Sequence, residues 1–329
     1  MRGAQFSRFG DPAEVIGIVD MPDPGPPGPD EVTVRMIAVP VSPSDLLKMS
    51  GRYGADPATL PMTPGAEGIG RVVAAGSDVR NVAVGDLVWS PAERSWRQLV
   101  QGPARGLIPL PGHGDPLQLA MGRANPLTMW LIATRYVDLR PGDWIIQNAA
   151  NSACGRRLIG LARDAGWRTV NVVRRADLVD ELAGAGGDVV LVDGEDLDGR
   201  MLAATGGQQP RLAIDAVSGT ATGRLAACVE PGGTVVNYGL LSGEPMIVPA
   251  REALFRDVRI RGFWYTPWVQ TAPLEEVEQA FRFVAEKVAA GRLDTPVEAV
   301  YPLEEVRAAV AHAAREGRRG KIMLRLADG

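Results

Sequence analysis

The stretch "DWIIQNAANSACGRRLIGLARDAG", Asp143 to Gly166, joins a short apolar run to an amphipathic one. "DWIIQN" reads as a strand, and Leu158, Ile159, Leu161 and Ala162 then recur at helical spacing. A strand that feeds a helix through a tight turn is where a dinucleotide fold holds a pyrophosphate, because free amides and the helix dipole converge there. Glycines are used in such turns to let the backbone approach closely. Here the turn is Ala150, Asn151, Ser152, Ala153, Cys154 and Gly155, small throughout but with one glycine. Asn and Ser can bond a phosphate or cap the helix, so alone the stretch fits a capped strand-to-helix turn equally well.

The surrounding pattern decides between these. Apolar runs "DWIIQN", "RTVNVVR", "VVLVD", "RLAIDAV", "GTVVNYG" and "VRIRGFW" alternate with the helical segments "CGRRLIGLARDAG", "ADLVDELAGAG", "LDGRMLAATG" and "TATGRLAACVEPGG". Alternation of this kind implies an α/β fold, a doubly wound parallel sheet with helices on both faces. Upstream, "EVTVRMIAVPV" to "GDLVWS" is broken by Gly and Pro into short strands and reads as barrel-like. Helical spacing begins near Pro116 in "PLQLAMGRANPLTMWLIATRYVDL". After the sixth run come a polar-faced helix, a strand near "VEAVYPL", a second helix and "GKIMLRL", a tail that does not continue the alternation. The expected division is a strand-rich substrate domain from residues 1–118 and 265–329, with a dinucleotide-binding domain at 119–264.

Composition narrows the function classes. The chain has 329 residues, 46% hydrophobic and 22% charged, with a net charge of -4, which describes a globular protein rather than a disordered one. An acidic balance argues against nucleic acid or an anionic membrane as partner, since both need clustered Lys and Arg. The one basic cluster, "REGRRGK", reads as a solvated helix end. No run reaches the ~20 apolar residues of a membrane span, and "MRGAQFSRFGDP" lacks a signal-peptide core, so a cytoplasmic location is expected. With two cysteines, Cys154 and Cys228, and two histidines, His113 and His312, a zinc site of Cys and His is not expected. His312, in an Ala-rich helix, reads as solvent-facing.

The second strand carries the cofactor signal. An acid about 20 residues past the loop would bind a ribose 2'-hydroxyl, whereas Arg there accommodates a 2'-phosphate. "NVVRR" puts Arg174 and Arg175 at that place, which favours NADPH; alternatively the two pair with Asp177 and Asp180 on the surface.

"NPLTMW", "GDWIIQNAANSACG", "RTVNVVRR", "NYGLLSG" and "RGFWYTPW", in that order and spacing, resemble the medium-chain dehydrogenase/reductase superfamily. More narrowly they are similar to its mitochondrial-type trans-2-enoyl thioester reductases and quinone-oxidoreductase-like relatives, from "RFGDPAEVI" to "GKIML". The resemblance implies a Rossmann domain beside a GroES-like barrel. Where zinc members place their catalytic ligands, this chain has Ser42, Ala66 and, approximately, Asn125, and no Cys-rich lobe follows "GDLVW". It therefore implies a metal-free, NADPH-dependent reductase. Asp45 and Glu67, in the same segments, read as structural carboxylates.

By the same resemblance Tyr53, in "SGRYGADPATLP", is the proton donor; on its own residues it is equally an ordinary loop tyrosine. Hydride addition to the β-carbon of an α,β-unsaturated carbonyl puts charge on oxygen and the α-carbon, and a Tyr hydroxyl is a donor that stays protonated at neutral pH. The resemblance assigns Asn125, Phe263 and Trp264 to the substrate. To the cofactor it assigns Thr128, Asn151, Ser152, Ala153, Cys154, Gly155, Arg174, Arg175, Tyr238, Gly239, Phe263 and Lys321. It also implies a small-molecule substrate, an acyl thioester among the candidates, and a homodimer. Two alternatives stay open: a quinone or enone reductase without a Tyr acid, and a non-catalytic NADPH-binding protein.

Overall fold

A computed structural model describes residues 1–53 and 56–327. The first part of the chain gives β1 (Arg2–Gln5), β2 (Gly17–Asp20), β3 (Glu31–Val41), β4 (Ile69–Ala75), β5 (Leu87–Trp89) and β6 (Leu99–Pro103). The middle gives β7 (Trp144–Gln147), β8 (Arg168–Val173), β9 (Val189–Val192), β10 (Leu212–Asp215), β11 (Thr234–Asn237) and β12 (Arg259–Gly262), and the end gives β13 (Val297–Pro302) and β14 (Lys321–Arg325). Contacts divide the chain into one unit of residues 1–124 and 272–329 and another of 125–271, against joins at 118/119 and 264/265 in the sequence reading.

In the first unit the order is β13-β14-β3-β4-β5, with β6 also paired to β3. The long strand β3 is the hub: β4, β6 and β14 all run antiparallel to it, β14 through Ile322 opposite Val41 to Arg325 opposite Ala38. Its Val32, Val34, Met36 and Val39 are buried with Trp96, Val100, Ile322 and Leu324 in one cluster. Each such Val or Leu contributes about 1.5–3 kcal/mol by leaving water. The tail thus returns to finish the barrel unit, which is why it breaks the alternation.

The second unit is a six-stranded sheet, β12-β11-β10-β7-β8-β9, with every neighbouring pair parallel. One face packs Ile146, Val170, Val172, Ala213 and Val235 against Met201 and Leu225 from helices Leu197–Thr205 and Thr220–Cys228. On the other, Ala150 and Val173 meet Ile159 and Leu182 from helices Ala153–Ala165 and Val179–Gly184. This is the doubly wound fold expected from the alternation. The order reverses at β7, so the crevice for a ligand opens at the carboxyl ends of β7 and β10. The helical stretch beginning at Pro116 is broken into Pro116–Ala120 and Ala124–Arg135. Pro126 explains the break, since its ring would strike the carbonyl four residues back if one helix ran through.

Candidate functional site

In the second unit the turn after β7 is built for close approach. Ala149 takes a left-handed φ of 47°, turning the chain into helix Ala153–Ala165. The Ser152 hydroxyl caps that helix by accepting from the Gly155 amide at 3.1 Å. A Cβ on Gly155 would lie 2.4 Å from the Ala150 carbonyl oxygen, so this glycine lets the helix pack on the turn. That is the packing role of the last glycine in a dinucleotide loop, and the first-turn amides, which an α-helix leaves without internal acceptors, open at the switch point.

Several residues expected at the cofactor do meet there. The Cys154 thiol donates to Asn125 Oδ1 at 3.4 Å. The Tyr238 hydroxyl, just past β11, is hydrogen-bonded to Cys154 and Ser152, and burial, with Cys154 beside it, pushes its ionisation well above the ordinary range. Thr128 lies one turn beyond Asn125 on the same helix and is buried. A Cβ on Gly239 would come 2.6 Å from the Ala216 carbonyl oxygen, so the chain after β11 also runs tightly against its neighbour. Asn151 is half-buried, and its carbonyl accepts from Arg156 Nε at 3.2 Å. Past β8, Arg175 pairs with Asp177 at 3.3 Å, while Arg174 is exposed and has no partner among the described residues.

A carboxylate that the sequence reading passed over organises this edge. Asp215, ending β10, is fully buried. Its Oδ1 accepts from Asn148 Nδ2 at 2.6 Å and from the amides of Val217 and Ser218; its Oδ2 accepts from Thr222 at 2.6 Å and Asn237 Nδ2 at 3.0 Å. One side chain therefore ties the ends of β7, β10 and β11, and Ser218, in the last of these turns to leave β10, takes a φ of 67°. In "RLAIDAV" an acid inside an apolar run is the visible signal for it. Beneath the loop, buried Gln147 donates to the Gly155 carbonyl at 2.9 Å and to Asn171 Oδ1 at 2.8 Å.

Phe263 and Trp264 lie just past β12, in a cavity of about 450 Å³ shared with Arg135, Tyr136, Arg261 and Trp268. The Tyr136 hydroxyl donates to the Gly262 carbonyl at 2.8 Å, and its ring meets Phe263 edge-on.

Tyr53 and Lys321 belong to the barrel unit. Tyr53 is half-buried and lines a cavity of about 200 Å³ with Phe9, Lys48, Met62, Glu93 and Arg94. Buried Lys321 donates to the Ser42 hydroxyl at 3.2 Å. Ser42 and Asp45 form a capping box, and Asp45 also accepts from the Gly65 amide at 3.1 Å. Burial pushes the Asp45 carboxyl up to about 6 despite these amides and the nearby Lys48 and Lys321. Glu67 is buried and accepts from the Ala124 amide at 3.0 Å. Among the described residues no three His, Cys, Asp or Glu side chains gather. Ser42 is spent on its capping box, Ala66 has no donor atom and Asn125 holds the Cys154 thiol, a donor set that does not fit zinc. His312 is not solvent-facing as expected: it is 15% exposed, between the Tyr301 hydroxyl and Glu298 at 2.9 Å each.

A parallel dinucleotide sheet interrupting a barrel unit that both chain ends complete is the architecture of the medium-chain dehydrogenases/reductases. The comparisons agree. Residues 28–111 match the alcohol dehydrogenase GroES-like domain and residues 185–324 a domain described as zinc-binding dehydrogenase. The chain is 33% identical over 313 residues to the mitochondrial enoyl-[acyl-carrier-protein] reductase of Bos taurus, covering 93% of this chain and 83% of that one. It is 34% identical over 322 residues to that of Rattus norvegicus, covering 94% and 84%. Among solved structures, Escherichia coli quinone oxidoreductase complexed with NADPH shares the fold at a TM-score of 0.88 and 23% identity over 99% of this chain and 100% of that one. The Candida tropicalis mitochondrial 2-enoyl thioester reductase heterodimer does so at 0.83 and 23%, over 99% of each. The chain belongs to the enoyl-[acyl-carrier-protein] reductase family of this superfamily, and is an oxidoreductase.

Proposed function

We propose that the protein is an NADPH-dependent reductase of activated C=C bonds, acting on a 2-enoyl thioester or related α,β-unsaturated carbonyl compound. The observation that carries this is Tyr53, the hydroxyl donor in the wall of the barrel unit's small cavity, in a chain a third identical to enoyl reductases. NADPH supplies the hydride that adds to the β-carbon. The first-turn amides of helix Ala153–Ala165 hold the pyrophosphate, Arg174 and Arg175 bind the 2'-phosphate, and Asn125, Thr128, Tyr238 and Gly239 line the path to the nicotinamide. Tyr53 hydrogen-bonds the carbonyl oxygen as charge builds there, then protonates the enolate. Phe263 and Trp264 bound the substrate, and Lys321 steadies the segment that opens with Ser42. No step needs a metal.

A Tyr53→Phe variant assayed with a crotonyl thioester and with a quinone tests this. The thioester kcat/KM should fall about 100-fold or more, the loss typical of removing one such donor, while the quinone rate holds. An unchanged thioester rate would leave a quinone or enone reductase without a Tyr acid. Cofactor binding with no turnover on enals, enones, thioesters or quinones would leave a sensing role.

We further propose a homodimer through the free edge of β12 and the helix Ala250–Arg256 before it, whose Leu254 and Phe255 are exposed for a partner surface. Cys154 and Cys228 form no disulfide, which suits a reducing compartment, and we place the enzyme in the cytosol; the names of its relatives place those in mitochondria.

A further inference from the structure

Asp215 brings a charge where tying strand ends together needs none. It is fully buried at the end of β10, and its hydrogen bonds come from the side chains of Asn148, Thr222 and Asn237 and the amides of Val217 and Ser218. Every one of these groups donates, so both oxygens are held as acceptors and the side chain as a carboxylate. None of the partners is a cation. The negative charge is therefore solvated by dipoles without being cancelled, and burying it is costly. One strand pair away the same sheet makes its tie with neutral groups, Gln147 Nε2 donating to Asn171 Oδ1 at 2.8 Å.

The place of this charge along the sheet edge gives it a use. With the pyrophosphate at the turn after β7 and the 2'-phosphate at Arg174 and Arg175, the adenosine half of NADPH runs toward β8. In the order β11-β10-β7-β8 the other half then lies on the far side of β7, over the ends of β10 and β11. That half carries the nicotinamide, and its charge changes in the reaction, because giving up hydride turns the neutral ring into the cation of NADP+. Asp215 ends β10, and Asn237, one of its donors, ends β11. Its field already reaches the next residue, Tyr238. Burial foremost, then Cys154, and also the Asp215 charge push the Tyr238 hydroxyl up, so the field opposes an anion there. A field of that sign favours a cation.

We propose that Asp215 tunes the cofactor: its uncancelled charge stabilises the oxidised, cationic nicotinamide over the neutral ring and so makes bound NADPH a stronger hydride donor. The action is through the field and needs no contact with the ring. Over ~10 Å at an effective dielectric constant of ~20, one such charge changes an affinity by about 10-fold. The proposal deepens the reduction set out above and rests on the cofactor placement given there.

The test is binding, with NADPH followed by fluorescence and NADP+ and 2',5'-ADP by calorimetry, the last carrying the adenosine half alone. Asp215→Asn should weaken NADP+ about 10-fold more than NADPH, which raises the two-electron potential of the bound couple by about 30 mV. Affinity for 2',5'-ADP should hold. Asn237→Lys sets an ammonium where half-buried Asn237 now donates to Asp215 at 3.0 Å, cancelling the charge without removing it. It should move the ratio of NADP+ to NADPH affinity in the same direction, and it carries the test if Asp215→Asn does not fold. A carboxylate that only holds the strand ends together would give another result, since loosened turns weaken NADP+ and NADPH alike. Equal losses of those two, or a matching loss of 2',5'-ADP, overturn the proposal.

Turnover separates this from the reading beneath it. A shifted affinity ratio in a protein that reduces no enal, enone, enoyl thioester or quinone would keep the tuning and sink the reductase. An unchanged ratio with crotonyl thioester still reduced would keep the reductase and sink the tuning.

Discussion

Arg174 and Arg175 follow β8 in different states, one free among the described residues and the other paired with Asp177. If they bind a 2'-phosphate, replacing both by Ala should raise the Kd for NADPH by about 10- to 100-fold and leave NADH nearly unchanged, because only the charge-assisted bonds to that phosphate are lost. Equal losses in fluorescence titrations of the two cofactors would exclude the assignment. Asp45 makes a different prediction. Its carboxyl binds a proton more tightly folded than unfolded, ionising near 6 rather than 3.8, so the stability it contributes is full below pH 4 and is lost as pH rises through 6. Asp45→Asn should flatten the fall in unfolding free energy between pH 4 and 7 by up to about 3 kcal/mol, measured by denaturant titration. Parallel pH profiles in the two proteins would contradict it. At this scale the sequence was least informative. "NVVRR" showed two arginines but not which is engaged, and Asp215 hid inside an apolar run, because its five donors come from a loop after β7, the turn after β10, a helix and the end of β11, which only the folded sheet brings together.

The turn from β7 into helix Ala153–Ala165 shows what one glycine does for an element. Gly155→Ala places a methyl group 2.4 Å from the Ala150 carbonyl, so the helix must slide away from the turn. Overpacking of this size costs about 1–3 kcal/mol and should weaken cofactor binding along with stability, since the same shift moves the first-turn amides. A Gly155→Ala protein with unaltered NADPH affinity would separate the turn from the cofactor. The helix itself was plain in the sequence through its periodicity and its Ser152 cap, and the strands through apolar runs, since parallel strands are covered on both faces. Less visible was the break at Gly122 and Arg123, because apolar spacing continues across it and a proline three residues later decides the matter. The Tyr238 contact with Cys154 and Ser152 was also out of reach, as it joins two strand ends far apart in the chain.

Across the whole molecule, the alternation of elements located the parallel sheet, and the tail's failure to continue it pointed to the barrel; that β14 seats against β3 depends on pairing between distant segments that no local pattern encodes. The same scale carries the oligomer prediction. Leu254 and Phe255, on the helix Ala250–Arg256 that leads into β12, are 73% and 79% exposed, so sedimentation should report a species of twice 35.0 kDa, and Phe255→Glu should shift it to the single chain. A protein that sediments as one chain without the substitution would refute the pairing. Because β14 pairs with β3, the barrel unit also has a schedule imposed on it during synthesis. β3 emerges early from the ribosome and pairs with β4 and β6, but its end from Ala38 to Val41 stays open on the side that β14 fills and must wait while the entire nucleotide-binding unit is made, a unit whose strands all lie within residues 144–262 and which can fold as soon as they are out. The nascent chain therefore carries an unfinished sheet edge through most of its translation, and closing it is among the last events of its birth.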